Sequence, residues 1–149
     1  MRGDTRSLRL VASFGALLLA NCSSGTGPSA ARLERRPALL SFYADSATVT
    51  LPDTVSRLQP VTVAVTSYGG GCITQGETDV AVSDLLAVIR PYRYEVTGSH
   101  AFCEDAVRLF QHVATIQFAK AGQAEVRVIG ERRPGDDQIE LVRTVAVVP

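Results

Sequence analysis

The stretch Val61-Thr62-Val63-Ala64-Val65-Thr66 decides the fold. Valine returns at every second position with threonine or alanine between, so three branched apolar side chains point to one side of an extended chain and small or hydroxyl groups to the other. Such a run is a half-buried β-strand; a helix would scatter the same valines around its circumference. Pro60 stands at the strand's start, where a missing N–H is tolerated, and Tyr68-Gly69-Gly70-Gly71-Cys72 ends the strand in a loop.

The same period of two extends outward in both directions. Upstream, residues 38–43 and 47–51 are short β-favouring runs, broken at Asp45-Ser46 and Pro52-Asp53. Downstream, residues 79–83 alternate again, and 86–96 read as a longer strand whose middle, at Pro91, is expected on an edge or at a bulge. Residues 103–109 (CEDAVRL) read as one helical turn, because acidic residues favour helix starts and Val107 and Phe110 repeat at near-helical spacing. Alternation resumes at Ala114, Ile116 and Phe118. A turn centred on Gly122 leads to a strand carrying Val126 and Val128 that Gly130 ends. The polar run 132–137 (RRPGDD) is turn chemistry, and it feeds a final strand on which Ile139, Leu141, Val145 and Val147 share a face, closing a hairpin.

At 149 residues and 46% hydrophobic composition, the chain is long and apolar enough for one domain with its own core. Seven or eight short strands in about 110 residues make that domain all-β, an antiparallel sandwich of about seven strands, with a small β-barrel as the alternative. By pattern it resembles the immunoglobulin-like and fibronectin type III-like domains of exported bacterial proteins. There is no Trp, and Cys72 and Cys103 stand 31 apart, closer than the bridge that joins the two sheets of antibody domains. The Cys…Trp…Cys core signature of that family is thus absent.

The N-terminus carries a different kind of information. A basic start (Arg2, Arg6, Arg9), the apolar run of residues 10–20 (LVASFGALLLA) and the small or polar residues after it are the three parts of a secretory signal. Eleven apolar residues are about half of what a bilayer-spanning helix needs. Leu19-Ala20-Asn21-Cys22 resembles the lipobox of bacterial lipoproteins, with Asn21 where a smaller residue is usual. The resemblance implies cleavage before Cys22, lipid on Cys22 and attachment to a membrane through that lipid; Ser23 in place of Asp implies sorting to the outer membrane where the host has two. Cleavage after Ala20 or Ala31 would instead release a secreted or periplasmic soluble protein. The organisation expected is a signal peptide over 1–21, a flexible tether rich in Ser, Gly and Pro over 22–37, and the β domain over 38–149.

With Cys22 acylated, Cys72 and Cys103 remain as a pair suited to a disulfide in an oxidising compartment. The alternative is a metal site, since His100, Cys103 and His112 lie close in sequence and Cys72 could complete a Cys₂His₂ set. No cofactor is expected. Nor is nucleic acid a partner, because beyond the first ten residues 12 basic groups face 14 acidic ones.

Catalytic patterns are missing. The chain holds no Gly-x-Ser-x-Gly elbow, His-Glu-x-x-His or phosphate-binding loop. Nucleophilic catalysis would have to use His100 or His112 with Ser99, Ser83 or a cysteine, and the adjacency of Ser99 and His100 in sequence does not place them in hydrogen-bond geometry. The acidic pairs Glu104-Asp105 and Asp136-Asp137 read as solvated turns. Arg90, Tyr92 and Tyr94 alternate on one strand and could present a cationic, aromatic strip to a glycan or protein. The reading is therefore a non-enzymatic, membrane-tethered module acting by contact with an envelope protein or glycan. A small secreted inhibitor or ligand carrier that uses loops 69–76 and 132–137 is the alternative.

Overall fold

A computed structural model of the protein describes residues 31–98, 102–104 and 106–149. Its strands are β1 (Arg32–Pro37), β2 (Leu39–Phe42), β3 (Asp45–Ser46), β4 (Val49–Thr50), β5 (Thr54–Ser56), β6 (Val61–Gly69), β7 (Ile73–Ser83), β8 (Leu86–Thr97), β9 (Arg108–Ile116), β10 (Gly122–Arg133) and β11 (Asp137–Val148). All eleven belong to one hydrogen-bonded sheet, which curls around a single core. The protein is all-β, and no helix occurs among the described residues.

The deciding run lies where its alternation puts it. Val63 and Val65 of β6 are fully buried, while Thr62 is exposed. Ala114 and Ile116 of β9, Ala124, Val126 and Val128 of β10, and Val145 and Val147 of β11 meet them in the core, with Phe118 filling the space beyond the end of β9. The hairpin of β10 and β11 pairs from Gly122↔Val147 to Arg132↔Asp137, with Gly135 and Asp136 at positive φ in its turn.

Several expectations are corrected. Among the described residues there are eleven strands rather than about seven, because β2 to β5 are fragments of two to four residues along a winding segment. Residues 32–37, expected in the tether, form β1 and pair antiparallel with β8 from Arg32↔Thr97 to Pro37↔Tyr92; the rest of that tether, before Ala31, lies outside the described residues. The helical turn over 103–109 does not form: Arg108 and Leu109 are the start of β9, and Cys103, Glu104, Ala106 and Val107 have no regular structure. Gly130 does not end its strand. Here β2 crosses so close to β10 that a Cβ would strike the Ala38 carbonyl and the Leu40 side chain, so glycine permits the approach and β10 runs on to Arg133.

The sheet is also mixed rather than purely antiparallel: β10 runs parallel to β2 and β8, and β11 parallel to β5. Pro91 explains part of this. It sits inside β8, not on an edge strand, at the point where one neighbour replaces another: Leu86–Ile89 pair with β10, and Tyr92–Thr97 with β1. Between them the Pro91 carbonyl accepts from Ala38 N at 2.9 Å. On the other side β7 bulges between Gln75 and Thr78, opposite the same proline. The missing N–H falls where the ladders break anyway.

Candidate functional site

On β8, Ala87, Ile89, Pro91 and Arg93 face inward and Arg90, Tyr92 and Tyr94 outward, so the three residues of the predicted strip do share a face. Neighbouring strands occupy it. The Arg35 guanidinium of β1 lies 3.3 Å from the centre of the Tyr92 ring, and it also pairs with Glu77 and, at 3.3 Å, with Asp79. Tyr94 Oη donates to Glu77 Oε2 at 3.0 Å. Glu77 is held below the usual carboxylate range by its own backbone N–H and by Arg35, and the Tyr94 hydroxyl is pushed up by Glu77. Arg90 is exposed, opposite Asp79 in register. The strip is an internally paired surface rather than an open aromatic platform.

His112, on the inward side of β9, is 1% exposed and touches two hydroxyls: Ser67 Oγ at 3.0 Å from Nε2 and Thr78 Oγ1 at 3.2 Å from Nδ1. Burial pushes its pKa down, favouring the neutral ring. Ser67 is itself 1% exposed, so the pair has a catalytic dyad's contact without access for a substrate. It links β6, β9 and β7. No β-ladder joins β7 to β9 among the described residues; the Thr78–His112 contact and Gln75 Nε2 donating to Gln111 O at 2.8 Å hold that seam. Sequence reasoning offers Ser83 and Ser99 as hydroxyls for a histidine and misses Ser67, because the partnership depends on the β6–β9 register, Ser67↔Phe110 and Val65↔His112.

Cys72 and Cys103 form a disulfide, with Cα atoms 5.0 Å apart. This excludes the four-residue metal set, since the sulfurs are bonded to each other and His112 is turned inward; among the described residues no group of acids, histidines and cysteines suits a metal. The triglycine before Cys72 is there for closeness. Gly70 and Gly71 have positive φ, and a Cβ on either would run into the carbonyls of Ala106 and Glu104. Val96 N donates to Cys72 O at 3.0 Å, tying the bridge to the end of β8.

Around this bridge lies a cavity of about 220 Å³. Leu39, Phe42, Ile73, Val96 and Val107 give it apolar walls, Gly69–Gly71 a backbone rim, and Glu95 and Arg133 a charged end. Parts of both loops singled out in the sequence thus come to one mouth, with Tyr43 N donating to Arg133 O at 2.8 Å to hold the aromatic corner against the hairpin. Phe42 packs edge-on to Tyr43 at 4.8 Å and stacks on Tyr68 at 6.1 Å.

Behind the charged end is a network that sequence reasoning missed. Arg93 is 1% exposed, yet its Nη2 lies 3.2 Å from Glu95 Oε2 and 2.9 Å from Glu131 Oε2, and its Nη1 donates to Pro37 O. Arg36 approaches Glu95, Glu131 and Asp136, and Arg133 reaches Glu95 at 3.1 Å. Burial pushes Glu95 up, but Arg133 and Arg93 outweigh it and hold its carboxyl below the usual range. Three guanidiniums thus face three carboxylates. The clue was parity: Arg93 shares the inward face of Ala87 and Ile89.

Cys22, His100, Ser99 and Asp105 lie outside the described residues. No protein-family model matches the chain, and neither does any curated protein or solved structure.

Proposed function

We propose that this chain is a lipid-anchored, extracytoplasmic β domain of a bacterial envelope, held at acylated Cys22 and acting by contact with an envelope protein or glycan rather than by catalysis. The observation that supports it is the convergence at one end of the sheet. The disulfide, the triglycine rim, the β10–β11 turn and the Phe42–Tyr43 corner frame one cavity there, and Phe102 beside the bridge is 95% exposed. Binding function concentrates in loops set on a rigid sheet, and the bridge fits an oxidising compartment. The outer strip of Arg90, Tyr92 and Tyr94 is the weaker contact candidate, because Arg35 and Glu77 already occupy it.

A small-ligand carrier is the second reading, favoured by the cavity itself. At about 220 Å³ it falls below the ~300–1,000 Å³ of drug-sized sites. It suits a small ligand or one side chain of a partner.

Two measurements test the proposal. Labelled palmitate should enter the wild-type chain and not Cys22→Ala. A photo-crosslinking residue at Tyr43 should give a discrete adduct in cells while one at Val148, at the opposite end, gives none. Equal labelling of Cys22→Ala removes the anchor, and equal adducts from both ends remove the mouth as the contact site.

A further inference from the structure

The exposed apolar side chains of this domain are unevenly placed. Leu33 at 64%, Tyr43 at 71%, Phe102 at 95%, Val107 at 61% and Leu109 at 65% are the five most exposed large hydrophobics among the described residues. The topology brings them to one end. Leu33 is opposite Val96, which lines the cavity and bonds Cys72; Phe102 adjoins Cys103; Val107 lines the cavity; Leu109 is opposite Tyr68; Tyr43 is bonded to Arg133. This is also the end from which the N-terminus leaves, because β1 begins at Arg32 opposite Thr97, the last residue of β8.

We infer that this disulfide end rests on the bilayer surface, with Phe102, Val107 and Leu33 entering the lipid interface. The inference rests on the anchoring proposed above and deepens it by naming lipid as the surface that Phe102, Val107 and Leu33 meet, with the Phe42–Tyr43 corner left to the envelope partner. Nine residues, 23–31, separate Cys22 from β1. Fully extended they reach at most about 30–35 Å, so an acylated Cys22 holds this end within that distance of the membrane, and the opposite end is free to lie farther away. At that range even weak interfacial affinity suffices, because the tether makes docking intramolecular. An aromatic ring and branched aliphatics are what the interface accepts, and insertion is shallow, about 5–10 Å. Of the charges at this end, Arg108 is paired with Glu104 at 3.2 Å, and the Glu34 carboxylate accepts from Thr97 Oγ1 at 3.1 Å.

The chain contains no Trp, so a single introduced one is an unambiguous reporter. The full chain carrying Phe102→Trp, purified from membranes and returned to phosphatidylethanolamine and phosphatidylglycerol vesicles, should sediment with them, emit at shorter wavelength than in lipid-free buffer, and lose most of its intensity to bromine-labelled lipid. Val148→Trp should do neither of the last two, since β9 alone separates the ends by roughly 25–30 Å. Both sites are at least partly exposed, so neither change threatens the fold. If the Phe102→Trp chain sediments with vesicles while its indole stays unshifted and unquenched, this inference is overturned and the anchor stands. A chain that does not sediment overturns the anchor, and the docked end with it. A blue shift that depends on protein concentration in the absence of vesicles assigns this end to a second copy of the chain and overturns the lipid assignment.

Discussion

Arg93 of β8 and Glu131 of β10 bring Nη2 and Oε2 to 2.9 Å behind the cavity, close enough to pair but not aligned as a hydrogen bond, so Glu131 Oε2 has no hydrogen-bonding partner among the described residues. A buried cation in this position balances carboxylates that would otherwise be stranded. Arg93→Met should therefore cost about 3–5 kcal/mol, the usual penalty for breaking a buried pair from one side. Removing Glu131 as well, as Arg93→Met with Glu131→Leu, should recover part of that loss. Urea unfolding of the two variants measures both; an Arg93→Met midpoint equal to wild type would show that the network carries no stability.

Stability should fall on mild acidification through His112. Its folded pKa is depressed by burial below the ordinary value of about 6.5, so the unfolded chain binds the proton first. The neutral ring's contribution is whole above about pH 6.5 and is lost as pH drops from there toward the folded pKa, at no more than about 1.4 kcal/mol per pH unit. His112→Gln should be less stable at pH 7.5 yet change less between pH 7.5 and 5.5. Parallel urea titrations of both proteins at the two pH values would show it; equal pH dependence removes His112 as the source.

The Cys72–Cys103 bridge closes a loop across 31 positions. Reduction, or Cys72→Ala with Cys103→Ala, should lower stability by about 2–5 kcal/mol. Membrane association should survive either treatment if Cys22 alone holds the chain there. Thermal unfolding and vesicle sedimentation of the same sample separate the two effects.

Gly70→Ala should be damaging out of proportion to one methyl group. Its φ is +124°, and the added carbon meets the Ala106 carbonyl. We expect a loss of about 1–3 kcal/mol, whereas Ala81→Gly, on the exposed edge of β7, should change stability far less. Comparable losses at the two positions would mean that the mouth does not need its close backbone approach.

What the sequence revealed and what it hid divide along a physical line. Period-two patterning identified β6, β8, β10 and β11, because each has one face in the core and its side chains declare it. β1 reads as tether because Arg32-Leu33-Glu34-Arg35-Arg36 is polar on both sides; it is a strand because β8 offers it an edge and because Glu77 and Asp79 of β7, Glu95 of β8 and Glu131 of β10 meet its arginines. The disulfide followed from cysteine parity. The pairing of Arg93 with Glu131 and of Ser67 with His112 depends on which strands become neighbours, and the β10–β8 and β10–β2 contacts are parallel crossovers that no local pattern encodes.

The position of β1 and β2 has a consequence for the order in which the chain can fold. They come first in the domain, yet β1 pairs with β8, and β2, besides β3 and β6, pairs with the far end of β10. For a chain delivered N-terminus first, whether from a ribosome or through an export channel, these leading residues cannot complete their pairing until Arg133 has emerged. Closure is then a late event and a long-range one, of the kind that slows β-rich domains to milliseconds or seconds. If the chain is exported, the interval helps it cross a membrane unfolded; in any compartment it exposes β-prone edges to aggregation meanwhile. A nascent chain arrested before Glu131 should accordingly remain open to proteolysis at its N-terminal strands, and protection should arrive abruptly once β10 is complete.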